Sequence, residues 1–186
     1  MDYFAVIDTE TNWNNEVMSI GVVIAEKDTF KKVDDLYFIF DPEYKIGGMF
    51  SMVLPVKGRA PKDILLTRKI VMEKFKEAFE KYGVKDLFAY NGAFDKNLLN
   101  ELASYRWFDI MKIAAYRQYN DKIPASIECC KTGKMKRNYG VEPMMQLLSG
   151  NRRYTEVHNA LYDAADELEL MRLLGKTIEE YIVAEI

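Results

Sequence analysis

The chain has 186 residues, 49% of them hydrophobic and 30% charged, with a formal net charge of −3. That composition excludes the low-hydrophobicity, high-charge class of disordered chains, and the length suits one domain spanning 1–186. The excess of acids argues against a broad basic coat for nucleic acid, yet it is compatible with an enzyme that grips a strand end through carboxylate-held cations.

The first runs, Tyr3–Ile7, Met18–Ala25 and Leu36–Phe40, have the length and the β-branched or aromatic bias of buried strands. Polar turns at Asn12, Asn14 and Asn15 and at Glu26–Asp28 separate them, which predicts a three-stranded antiparallel meander. From Asp41 to Pro61 the paired glycines Gly47 and Gly48 and the prolines Pro42, Pro55 and Pro61 forbid a long regular element. A loop of that length, 41–60, serves either as a lid or substrate edge or as a plain crossover.

Apolar residues at Ile64, Leu65, Val71, Phe75, Ala78, Phe79 and Tyr82 recur at helical intervals and predict a helix from Pro61 to Tyr82, stopped by Gly83. Leu87–Tyr90 reads as a fourth strand, turned at Asn91-Gly92 into a helix from Ala93 to Tyr105. Trp107–Ile110 reads as a fifth strand with a helix over Met111–Tyr119 behind it. Lys131–Tyr139 is a basic loop, a short helix follows from Glu142 to Leu148, a long one runs from Asn159 to Leu174, and a last short one covers Ile178–Val183. Strands joined to helices in this order make an α/β fold.

Other signals set the context. The cysteines, Cys129 and Cys130, are adjacent, a spacing that implies no disulfide framework. The first residues lack the basic and apolar regions of a leader, and no apolar run reaches the roughly 18 residues of a membrane span, so a cytoplasmic protein without membrane association is expected.

Three stretches carry residues suited to chemistry. Asp8 and Glu10 lie two apart at the end of the first strand, so their side chains share a face. Paired carboxylates repel unless a cation neutralises them, and oxygen ligands of this kind suit Mg²⁺ or Mn²⁺. Asp95 falls in the first turn after the fourth strand, the sheet edge where α/β sites form. His158, the only histidine, and Asp163 are five apart and would not share a helical face, so His158 belongs on the loop before the helix, Asn159 caps it, and Asp163 sits in its first turns. Asp166, three positions further on, is the rival to Asp163 as a ligand.

Taken together, D8-T-E10, N91-G-A-F-D95 and H158-N-A-L-Y-D163-A resemble, in order and spacing, the three motifs of DnaQ-like 3′-to-5′ exonucleases of the DEDDh type. The resemblance spans nearly the whole chain and implies an RNase H-like fold, a five-stranded mixed sheet flanked by helices. It further implies that Asp8, Glu10, Asp95 and Asp163 hold two divalent cations, Mg²⁺ or Mn²⁺, and that His158 is the general base. The activity implied is release of nucleoside 5′-monophosphates from single-stranded DNA or RNA 3′ ends. Thr9, Thr11 and Trp13 would lie by the terminal ribose, and Asn91 and Phe94 against the terminal nucleotide, with Phe94 as a core residue the alternative.

The pattern departs from its relatives at Tyr90, where many have histidine, and at Asn12-Trp13, which replaces a small glycine-containing turn. Lys131, Lys134, Lys136, Arg137, Arg152 and Arg153 form either a solvated surface or a track for phosphates. A homodimer is an expectation from the resemblance. A non-catalytic nucleic-acid-binding module of the same fold is the competing function, and the presence of His158 argues for the enzyme.

Overall fold

The computed structural model describes residues 2–186. Its first strand, β1 (Tyr3–Thr11), divides its side chains with the period of two that a pleated strand imposes. Phe4 and Val6 enter one apolar core and Ala5 and Ile7 the other. β2 (Val17–Glu26) pairs antiparallel with β1, and β3 (Lys32–Phe40) antiparallel with β2, which gives the meander expected from the turns.

The sheet has six strands, in the order β4-β3-β2-β1-β5-β6. β5 (Asp86–Ala89) joins β1 in parallel, and β6 (Arg106–Asp109) joins β5 in parallel. The mixed sheet flanked by helices is the RNase H-like arrangement, with one more strand than the sequence predicts. The additional strand, β4 (Leu65–Leu66), pairs with Ile39 and Phe40 at the edge of β3 and interrupts the helix expected from Pro61 to Tyr82.

The reason for that break is a change of side. Helix α1 (Pro61–Ile64) buries Ile64 in the core that holds Phe4, whereas α2 (Arg68–Tyr82) buries Val71, Phe75 and Phe79 in the core that holds Ile7. The apolar spacing therefore ran through two helices on opposite faces, and the chain must extend at the sheet edge to pass between them. There the Asp41 N–H donates to the Leu66 carbonyl at 3.0 Å.

Two further helices are shorter than expected. α3 (Ala93–Leu98) stops where Leu99 leaves helical geometry, and Leu99 and Leu102 turn into the core through a single 3₁₀ turn at Asn100–Leu102. α4 (Ile110–Ala114) ends because the following backbone pairs with the basic segment: Met135 N–H donates to the Ala115 carbonyl at 2.9 Å, and Tyr116 bridges Lys134. α5 (Val141–Ser149) and α6 (Ala160–Leu174) complete the α6 side, and Ile178–Ala184 forms 3₁₀ turns opened by a Thr177–Glu180 capping box. Among the described residues no helix is long and apolar enough to cross a membrane.

Candidate active site

Asp8 and Glu10 continue the face of β1 that carries Phe4 and Val6, so they point to the side covered by α6. Asp8 is paired across the ladder with Gly21. A Cβ on Gly21 would stand 2.1 Å from the carbonyl oxygen of Ala160. The missing side chain is thus what lets the first turn of α6 lie on the sheet at the level of Asp8.

The start of α6 is fixed by one side chain. The Asn159 Oδ1 accepts from the Leu161 N–H at 3.2 Å, and its amide donates to the Val53 carbonyl at 2.6 Å and to the Tyr37 hydroxyl at 3.2 Å. Asn159 is the cap that the sequence predicts, and it also ties the helix to the 41–60 loop. His158 lies just outside the helix with φ at 59°, a left-handed backbone that histidine adopts more readily than most residues but still at a cost. Asp163 occupies the first turn of α6 and is buried.

These residues meet at one place. Glu10, His158 and Asp163 each offer a ligand atom, and the three atoms lie within 4.8 Å of one another. Asp95, buried in the first turn of α3, accepts a hydrogen bond from the Thr9 hydroxyl at 2.6 Å, which locks the second motif to the first. Asn91 makes the turn with φ at 61°, and its N–H donates to Asp109 Oδ1 at 2.9 Å. The two rival acids of α6 differ in their surroundings: Asp166 accepts from the Tyr154 hydroxyl, whereas Asp163 Oδ1 is buried without a partner.

Charge is concentrated here to an unfavourable degree. Burial, and then Glu167, Asp95, Asp163 and Glu10, push the Asp8 carboxyl well above its usual range. Burial followed by Asp163 raises Glu10 to about 8, and burial followed by Glu156 raises Asp163 to about 8. Burial lifts Asp95 to about 7 against the opposing Thr9 hydroxyl. Oxygen ligands converging this closely, with Asp8 Oδ2 and Asp163 Oδ1 buried and unpaired, fit a site for hard divalent cations.

The structure adds two residues that the motifs did not single out. Glu167 is buried, accepts from the Tyr90 N–H at 3.0 Å, and has its own carboxyl raised by burial and then by Asp95. Its spacing of four from Asp163 places both on one face of α6, a signal that was available in the sequence. Phe50, from the 41–60 loop, stacks on the His158 ring with centroids 4.2 Å apart and planes at 17°. That contact joins residues far apart in the chain, and no local pattern announces it.

The outer residues divide. Thr9 is buried and engaged with Asp95, whereas Trp13 is 67% exposed and Thr11 half-buried at the end of β1. Phe94 is a surface residue, 41% exposed, not part of the core, and Asn91 is also exposed. Asn12 is buried, accepting from the Asn14 and Glu16 N–H groups and donating to the Glu43 carbonyl, so it organises the turn that presents Trp13. Tyr90 donates its hydroxyl to the Tyr139 carbonyl. Of the basic groups, Lys136 pairs with Glu128 at 3.2 Å and Lys134 lies 4.1 Å above the Tyr139 ring, while Lys131, Arg137, Arg152 and Arg153 are exposed.

No family model matches the sequence, and no curated protein matches it significantly. Solved structures do match. Exonuclease X in complex with 5′-overhanging duplex DNA superposes over 97% of this chain and 98% of its own, with a TM-score of 0.61 at 20% identity. The nuclease domain of 3′hExo, a DEDDh family member bound to rAMP, covers 94% of this chain and 92% of its own, with a TM-score of 0.62 at 19% identity. E. coli Exonuclease I in complex with a dA16 oligonucleotide gives a TM-score of 0.63 at 12% identity over 98% of this chain, which spans 42% of that protein. The chain therefore has the fold of the DEDDh-type 3′-exonucleases.

Proposed function

We propose that this protein is a metal-dependent 3′-to-5′ exonuclease that releases nucleoside 5′-monophosphates from single-stranded DNA or RNA ends. The observation that carries the reading is the convergence of Asp8, Glu10, Asp95, His158 and Asp163 on one edge of a sheet with the fold of these enzymes. Asp8, Glu10, Asp95 and Asp163 are the residues that would hold two divalent cations, Mg²⁺ or Mn²⁺. When bound, such cations supply charge stabilisation for an in-line displacement at phosphorus.

The protein's own groups supply the rest. His158, with a ring nitrogen beside Glu10 and Asp163 oxygens, would accept the proton of the attacking water. The 3′ oxygen of the preceding nucleotide is the leaving group. Thr9, through Asp95, and Thr11 line the end of β1 where the terminal ribose would lie. Trp13, Asn91 and Phe94 are exposed around the same edge, and ring faces such as those of Trp13 and Phe94 accept any base by stacking. Arg137, Arg152 and Arg153, exposed on either side of α5, suit the phosphates of the incoming strand.

The test is hydrolysis of end-labelled DNA and RNA strands, single and double, with Mg²⁺ or Mn²⁺, the products resolved by length. Stepwise shortening from the 3′ end to mononucleotides is expected, and Asp8→Asn should abolish it; full activity in that variant overturns the metal assignment. His158→Ala should slow the chemical step by roughly 10²–10⁴-fold while Mn²⁺ affinity stays close to wild type. A matching loss of Mn²⁺ affinity would make His158 a ligand instead of a base.

A further inference from the structure

A proton acceptor must be held in one orientation, and an imidazole is usually oriented by a hydrogen bond to its second ring nitrogen. Among the described residues no side chain or carbonyl makes such a bond to the His158 ring. Its backbone, outside the helix and left-handed, does not by itself fix the ring either. Glu156 interacts with His158 electrostatically, and the packing contact that restricts the ring plane is the face-to-face stack on Phe50, 4.2 Å between centroids and 17° between planes.

Phe50 is itself well braced. Gly48 lies so close to the end of β1 that a Cβ there would stand 2.4 Å from the Thr11 carbonyl oxygen, which pins the loop's near side to the strand bearing Asp8 and Glu10. The Ser51 hydroxyl accepts from the Gly48 N–H at 2.5 Å, and Val53 N–H donates to the Phe50 carbonyl at 3.1 Å. On the far side the Val53 carbonyl takes the Asn159 amide at 2.6 Å, one residue from the histidine. Phe50 is half-buried and packs against the α6-side core.

We propose that Phe50 is a positioning residue: the 47–53 segment holds the His158 imidazole over the carboxylate cluster by stacking, and so sets the geometry of proton transfer. The proposal rests on the reading of His158 as general base. It also gives the 41–60 loop a role, as a brace for the base, that composition alone left open. A misplacement of about 1 Å at a reacting group can cost on the order of 10²-fold in rate, so a loosened ring should be felt in turnover.

The lone histidine makes the stack directly measurable, because its ring protons give isolated NMR resonances. In the wild type those resonances should lie upfield of a free imidazole through the Phe50 ring current. Phe50→Leu should return them downfield, and Phe50→Tyr should keep them upfield. In the same variants kcat on a labelled single strand should fall about 10- to 100-fold for Phe50→Leu and recover in Phe50→Tyr, with KM and Mn²⁺ affinity unchanged. An unshifted wild-type resonance, or unchanged kcat in Phe50→Leu, overturns the proposal. So does a raised KM with kcat preserved, which would make Phe50 a substrate contact. A wild type that shows the stack but hydrolyses no strand would refute the general base itself, and the NMR shift separates that outcome from an absent stack.

Discussion

The two faces of the sheet are built from the same strands to opposite ends. On the α2 face, Ile7, Ile20, Val22 and Ile24 meet Val71, Phe75 and Phe79, all buried and all apolar. On the α6 face the apolar rule holds for Phe4 and Val6 and then fails: Asp8 and Glu10 follow on β1, facing Asp163 and Glu167 from α6. The change happens within one strand at the sheet's carboxyl edge, so the fold spends one face on cohesion and reserves one end of the other for charge. Buried acids raise one another's proton affinity, and the α6 end is therefore under electrostatic load that the α2 face does not carry.

The largest effect separating the two should come from the apolar face. Phe75→Ala should cost about 3–5 kcal/mol of stability, measured by denaturant unfolding, while protein kept folded at low temperature should retain the proposed nuclease activity. A loss of activity in protein shown to be folded would break the division of labour. Next, Mn²⁺ at a hundred times its Kd should stabilise the wild type by about 2.7 kcal/mol, and Asp8→Asn should forfeit most of that gain.

Smaller still, Asp8→Asn without metal should be more stable than wild type by about 0.5–2 kcal/mol, as expected where function stores repulsion. The pH dependence has a definite sign. Glu10 and Asp163 raised to about 8, and Asp95 to about 7, hold protons in the folded state that the unfolded chain has released. Their contribution is present below the ordinary carboxylate range and is lost as pH rises through about 8, so the metal-free Tm should fall over that span. Saturating Mg²⁺ should flatten the slope; a rising Tm would contradict the raised values.

Much of this contrast could be read from the sequence, for reasons that are local. Strands such as M18-S-I-G-V-V-I-A25 announce themselves by composition, and α6 by its Asn159 cap and Gly175 stop. The acids of the three motifs stood out because each lies at an element boundary. What escaped depends on which side of the sheet a residue faces, or on partners far away. Leu65 kept a helical spacing while crossing the sheet edge, Glu167 looked like one more acid on a helix, and Phe50 gains its meaning only from His158.

Gly21 carries a consequence of a different kind. It contributes no charge, no hydrogen-bonding side chain and no apolar area, yet Asp8 sits opposite it and Ala160 fills the space it leaves. A sequence could keep every acid of the cluster and the histidine, place a branched residue at this register, and fail to assemble the cluster, because its helix would stand off from the sheet. The place left empty opposite Asp8 is thus as necessary to the cluster as the acids themselves.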